Sequence, residues 1–110
     1  MGKSKKTEEQ VNEDLWISLE GIISPVNRIA RANDKDEIRS PAPVSRITEQ
    51  VVRDIKSEVT KLGKSIDSAQ ARELRQFTKD LDDLADEVKQ FNSNTRVYMQ
   101  NVNYNGGSED

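Results

Sequence analysis

The sequence predicts an all-α protein: an elongated antiparallel helical hairpin preceded by a kinked N-terminal helix, three helices with coiled-coil-like packing. Three observations carry this. Apolar residues recur at alternating spacings of 3 and 4 in three stretches, the period of one face of a helix. Breaks marked by proline or glycine separate the stretches. No alternation of apolar and polar residues runs longer than a few positions, so no strand is expected.

The first helix is expected over residues 8–33. Thr7-Glu8-Glu9-Gln10 reads as a capping box with two acids at the positive end of the helix. Leu15, Leu19, Ile22, Val26 and Ile29 then mark one face, and Trp16, Ile23 and Ala30 widen it on one flank. Pro25 removes a backbone donor and crowds the preceding turn. The apolar register nevertheless continues across it, which predicts a kink or tight break between nearly collinear pieces rather than a reversal.

Residues 33–43 read as a polar linker, since Pro41 and Pro43 turn Ser40 and Ala42 away from helix. The second helix is expected from Val44 or Ser45 to Gly63, with Val44, Ile47, Val51, Ile55, Val59, Leu62 and Ile66 as its stripe. Gly63 is the expected stop. Asp67-Ser68-Ala69-Gln70 resembles a fresh capping box, which favours a turn over fusion of the last two helices. The third helix, expected over residues 67–101, has the most regular seam: Leu74, Phe77, Leu81, Leu84, Val88, Phe91, Thr95, Tyr98 and Val102. Only Thr95 is polar in that heptad series. The domain plan is a disordered basic arm at 1–6, one helical domain at 7–104 and a disordered acidic tail at 105–110.

Composition limits what such a chain can do. Its 110 residues are 33% hydrophobic, and Leu, Ile, Val and Phe together number 25. That supports a small core and no large one. With no His and no Cys, the usual zinc sites, disulfides, thiol nucleophiles and Ser-His dyads are excluded. No Gly-rich phosphate loop or nucleophile elbow is present, so no catalytic, cofactor-binding or metal-binding residue is assigned and a non-enzymatic role is expected. The net charge is -3, which disfavours nucleic acid as a partner. No apolar run reaches the length of a bilayer span. The absence of Cys and of a signal-type start points to an intracellular, cytoplasmic location, with nucleus or virion interior as alternatives. Residues 44–66 sum to +2 and both neighbouring stretches are negative, a pattern suited to side-by-side packing of segments.

Four apolar residues are candidates for a protein interface: Trp16, Phe91, Tyr98 and Val102. Trp16 sits between Leu15 and Ile17, so this turn is apolar almost all round; the ring either closes a three-helix core or faces a partner. The third helix, about 50 Å long at 1.5 Å per residue, is longer than its neighbours can cover, which leaves the seam near Phe91, Tyr98 and Val102 for another chain. Asp80, Asp82, Asp83, Asp86 and Glu87 form the densest charge cluster, read first as a solvated face in which Lys79 pairs with Asp83 and Asp86 with Lys89. Ser40-Pro41 is a minimal proline-directed phosphorylation match in which a phosphate would pair with Arg39 or Arg46. Gly2 lacks the hydroxyl at the sixth residue that a myristoylation motif requires, since Lys6 stands there.

The expected function is a structural or scaffold subunit of a larger assembly, bound to other protein chains, as a homo- or hetero-oligomer, through helix–helix packing. No small-molecule substrate is implied. Two alternatives follow from charge: a small regulatory binder presenting the acidic face to a basic or nucleic-acid-binding partner, and a peripheral membrane adaptor using the basic arm. Composition disfavours direct contact with either nucleic acid or membrane.

Overall fold

The computed structural model describes residues 6–41, 46–67 and 69–104, with side chains placed as far as Asn94. Three helices follow one another: α1 (Glu8–Ala32), α2 (Glu49–Ser65) and α3 (Gln70–Tyr104). No strand occurs among the described residues.

The N-terminus of α1 forms as its sequence requires. Thr7 is extended, its hydroxyl accepts from the Gln10 N–H at 3.1 Å, and the Gln10 side chain accepts from the Thr7 N–H at 3.0 Å. The helix then runs unbroken through Pro25. Pro25 has no N–H to offer the carbonyl four residues earlier, which belongs to Gly21, an exposed residue with open space where a side chain would stand. At the other end Asp34 takes φ 57°, the left-handed region. Its N–H donates to the Arg31 carbonyl, and Lys35 N–H donates to that of Ala30 at 2.8 Å. This is a Schellman stop with aspartate where glycine is usual.

Both shorter helices run antiparallel to α3. At one end Asn33 meets Gln70 at 2.9 Å, and Gly63 lies against Leu74. At the other, Lys6 and Glu8 share a groove with Asn94, and Asn92 bonds the backbone of Ile47. The helices α1 and α2 are therefore parallel to each other, and the chain between them must travel back along α1. Its described residues, 35–41 and 46–48, do so as an extended strap. Ile38 N–H donates to the Asn27 side chain at 2.7 Å and its carbonyl accepts from Asn27 at 3.0 Å. Ser40 then bonds Glu20, and Ile47 N–H donates to Asn12 at 2.8 Å. From Asn27 back to Asn12 the helix rises about 22 Å at 1.5 Å per residue. The nine-residue step from Ile38 to Ile47 reaches up to ~30 Å when extended, so the connection is long enough.

The strap corrects two expectations. It is not an unpacked linker, because Ile38 is 6% exposed and Ile47 fully buried. The second helix does not start at Val44 or Ser45. Arg46–Thr48 is extended, and Thr48 caps Glu49 by accepting from the Val51 N–H at 3.2 Å. Val44 itself lies outside the described residues. The expected stripe holds at Ile47, Ile55, Val59, Leu62 and Ile66, all buried; it differs only at Val51, which is half-buried while its neighbour Val52 is enclosed. Gly63 does not stop the helix, which continues to Ser65 and ends with Ile66 extended. The break before α3 at residues 66–69 keeps the two helices separate, as the local pattern predicts; Ser68 of the expected capping box lies outside the described residues.

The core gathers from all four pieces. Leu19 and Val26 of α1, Ile47 of the strap, Val52 and Val59 of α2, and Leu74, Leu81 and Val88 of α3 are all essentially inaccessible. No polar or charged side chain is buried among the described residues. The core is dry and held by apolar burial, at roughly 1.5–3 kcal/mol for each fully covered large side chain.

Candidate interaction surface

The structure places the candidate residues in quite different settings. Trp16 is 4% exposed and belongs to the core of this chain. The open apolar residue on that turn is its neighbour Ile17, 61% exposed. Phe91 is half-buried at the rim. Tyr98 and Val102 belong to the helical backbone of α3, and their side chains lie outside those described.

Around Phe91 the sequence concealed a three-element junction. The Arg46 guanidinium lies over the Phe91 ring, 4.2 Å from its centroid. Its Nε donates to Asn92 Oδ1 at 2.6 Å, and Nη1 stands 3.5 Å from Glu8. Asn92 Nδ2 in turn donates to the Ile47 carbonyl at 3.1 Å. One residue of the strap thus ties the first turn of α1 to the far part of α3. No local pattern marks Arg46, because its partners Glu8, Phe91 and Asn92 lie 38, 45 and 46 positions away; a positive residue beside an isoleucine was the available signal.

The acidic cluster divides in two. Lys56 Nζ is 2.8 Å from Asp82, and Arg53 reaches Asp82 at 3.6 Å and Asp86 at 3.8 Å. These carboxylates pair with α2 rather than with lysines one turn away on α3. The positive middle segment and the negative third helix meet here as their charges suggest. Arg53 also binds Glu49 at 2.7 Å. That hydrogen bond comes first; desolvation opposes it, and the attraction of Glu49, Asp82 and Asp86 adds to it, so that the guanidinium is raised further above its ordinary value. Asp83 and Glu87 stand exposed on the other flank, with no ion pair among the described residues. Asp80, half-buried on that flank, accepts from Gln76 at 3.1 Å.

On that flank an open groove of about 510 Å³ runs between α1 and α3. Val11, Leu15 and Phe91 line its floor, and Glu8 and Glu87 stand on its walls. A smaller notch of about 370 Å³ lies between α2 and α3, beside Gly63 and Leu74. Among the described residues no group of three or more His, Cys, Asp and Glu side chains is arranged to hold a metal ion. None of their helices is long and apolar enough to cross a membrane. Ser40 is exposed, but its hydroxyl donates to the Glu20 carboxylate at 3.3 Å, while Arg46 is engaged elsewhere. The expected pairing of a Ser40 phosphate with Arg46 therefore has no support in this arrangement.

Compared with protein-family models, with curated proteins and with solved structures, the chain matches none.

Proposed function

We propose that this chain is a non-enzymatic structural or scaffold subunit that joins other protein chains through helix–helix packing at the far end of α3. One observation carries the reading. The helix α3 is 35 residues long, and the first turn of α1 and the strap residues Arg46 and Ile47 just before α2 stand level with its residues 91–94. Ten further helical residues, 95–104, project about 15 Å beyond that level. The 3–4 spacing of Leu84, Val88 and Phe91 continues through Thr95, Tyr98 and Val102. A helix so short gains little from propensity alone and persists when its apolar face is covered. The partner class is another protein chain, identical or different.

Of the alternatives, the binder presenting all five carboxylates loses support, because Asp82 and Asp86 are occupied by α2. The membrane adaptor depends on residues 1–5, outside those described; Lys6 is paired with Asp14.

Affinity capture from the native source, alongside sedimentation of the purified chain, tests the proposal. Tyr98→Ala should lose co-purifying chains or self-association with the helical content intact. Unchanged capture and unchanged sedimentation would overturn it.

A further inference from the structure

We infer that the groove between α1 and α3 is the seat of a fourth helix from another protein, one whose apolar seam is flanked by lysine or arginine. The inference deepens the assembly reading and rests on it: it specifies where on the bundle a partner lies and what chemistry that partner presents.

The floor of the groove is apolar and incompletely covered. Val11 and Phe91 are half-buried and Leu15 lies between them. Half-buried Ile22 continues the Val11–Leu15 line along α1, because 11, 15 and 22 share one face. Half-buried Phe77 does the same on α3, two heptads before Phe91. Of the six described apolar side chains that pack against the core without being enclosed by it, Val11, Ile22, Phe77 and Phe91 lie along this seam, while Val51 belongs to α2 and Ala71 to the notch beside it. A helix laid there would complete a four-helix arrangement, the usual way of closing such a stripe.

Charge selects the occupant. Glu87 lines the groove from α3, helical spacing continues its line back along the helix through Asp83 and Asp80, and α1 adds Glu8 at the mouth, 3.5 Å from Arg46. Among the described residues the one base lining the groove, Lys6, is paired with Asp14. On the opposite flank of α3, Arg53 and Lys56 of α2 fill the equivalent positions beside Asp82 and Asp86. The molecule therefore already contains the mode of packing proposed: a helix with an apolar stripe and flanking bases, set against an acidic wall of α3. The groove offers a second wall of the same sign with no helix against it among the described residues. A second copy of this chain would bring mostly acidic flanks from α1 and α3 and fits less well.

The test uses the full chain, isotope-labelled, titrated with two synthetic amphipathic helices that share a leucine seam and differ only in carrying Lys or Glu beside it. The Lys helix should shift the amide signals of Val11, Leu15 and Phe91, and bind more weakly as salt is raised. In a D83K/E87K double variant, whose substitutions lie at exposed positions, the Lys helix should bind about tenfold more weakly and the Glu helix should gain. The milder D83N/E87Q pair should fall between. Equal binding of both helices, or shifts confined to residues 95–104, would overturn the inference. The chain ending at Asn94 separates the two proposals. Groove binding that survives this truncation supports the fourth-helix seat whatever becomes of the α3 projection. A full chain that assembles through residues 95–104 yet ignores the Lys helix keeps the proposed function and removes the seat.

Discussion

At Asp34 a single backbone angle holds free energy that a substitution can release. A non-glycine residue in the left-handed region costs about 1 kcal/mol, and Asp34 occupies it to let α1 stop and the strap begin. Asp34→Gly should therefore stabilise the protein by up to about 1 kcal/mol in a thermal or denaturant melt. A destabilised variant would show that the aspartate side chain contributes something its backbone setting does not reveal. The contrast between Phe91 and Leu81 is a second residue-scale test. Leu81 is fully buried, so Leu81→Ala should cost about 3–5 kcal/mol. Phe91 is half-buried and covered on one side by Arg46, so Phe91→Ala should cost about 2 kcal/mol, less than a fully enclosed ring. Equal losses would mean that the rim is as tightly packed as the centre. The residue scale is also where the sequence was least legible. Arg46 has no pattern to announce it, and the five carboxylates look alike until α2 takes two of them.

Among the elements, the helices were legible and the strap was not, for a definite reason. A helix writes its buried face locally, every third or fourth residue, and the seams of α1 and of α3 as far as Phe91 read directly as buried or half-buried stripes. An extended segment held against a helix buries isolated residues with no period. Ile47 falls by chance at helical spacing before Val51, so the stripe of α2 appears to begin too early, and Ile38 looks like a stray apolar residue in a polar loop. Thr48 was a cap in plain sight, but with Val51 rather than Glu or Gln three residues on, it lacks the reciprocal half of the capping box. The strap makes an element-scale prediction. Asn27 holds Ile38 by two hydrogen bonds, and Asn27→Ala removes both at about 1 kcal/mol each. Limited proteolysis of the native chain should cut first at the exposed residues 34–37. In Asn27→Ala the susceptible region should extend to residues 38–41. Identical digestion patterns would show that burial of Ile38 alone holds the strap.

For the whole molecule, the arrangement separates what folds the chain from what is proposed to join it to others. Among the described side chains, every fully buried one lies between Leu19 and Val88, and Asn92 anchors α3 to the strap. Stability should therefore be complete by Asn94, because burial and not helix length supplies it. A chain ending at Asn94 should melt within a few degrees of the full chain, a shift corresponding to less than about 1 kcal/mol in a domain of this size. Its sedimentation should show the monomer under conditions in which the full chain associates, with itself or with the chains captured from its source. The two measurements must be read together. Loss of association with an unchanged melt assigns residues 95–104 to assembly. A lowered melting temperature that tracks concentration in the full chain, and does not in the truncated one, assigns them likewise, since association stabilises by mass action. A truncated chain that unfolds as readily as Leu81→Ala at every concentration would place the end of α3 back within the intramolecular fold, and the projecting helix would then be a structural brace rather than a point of attachment.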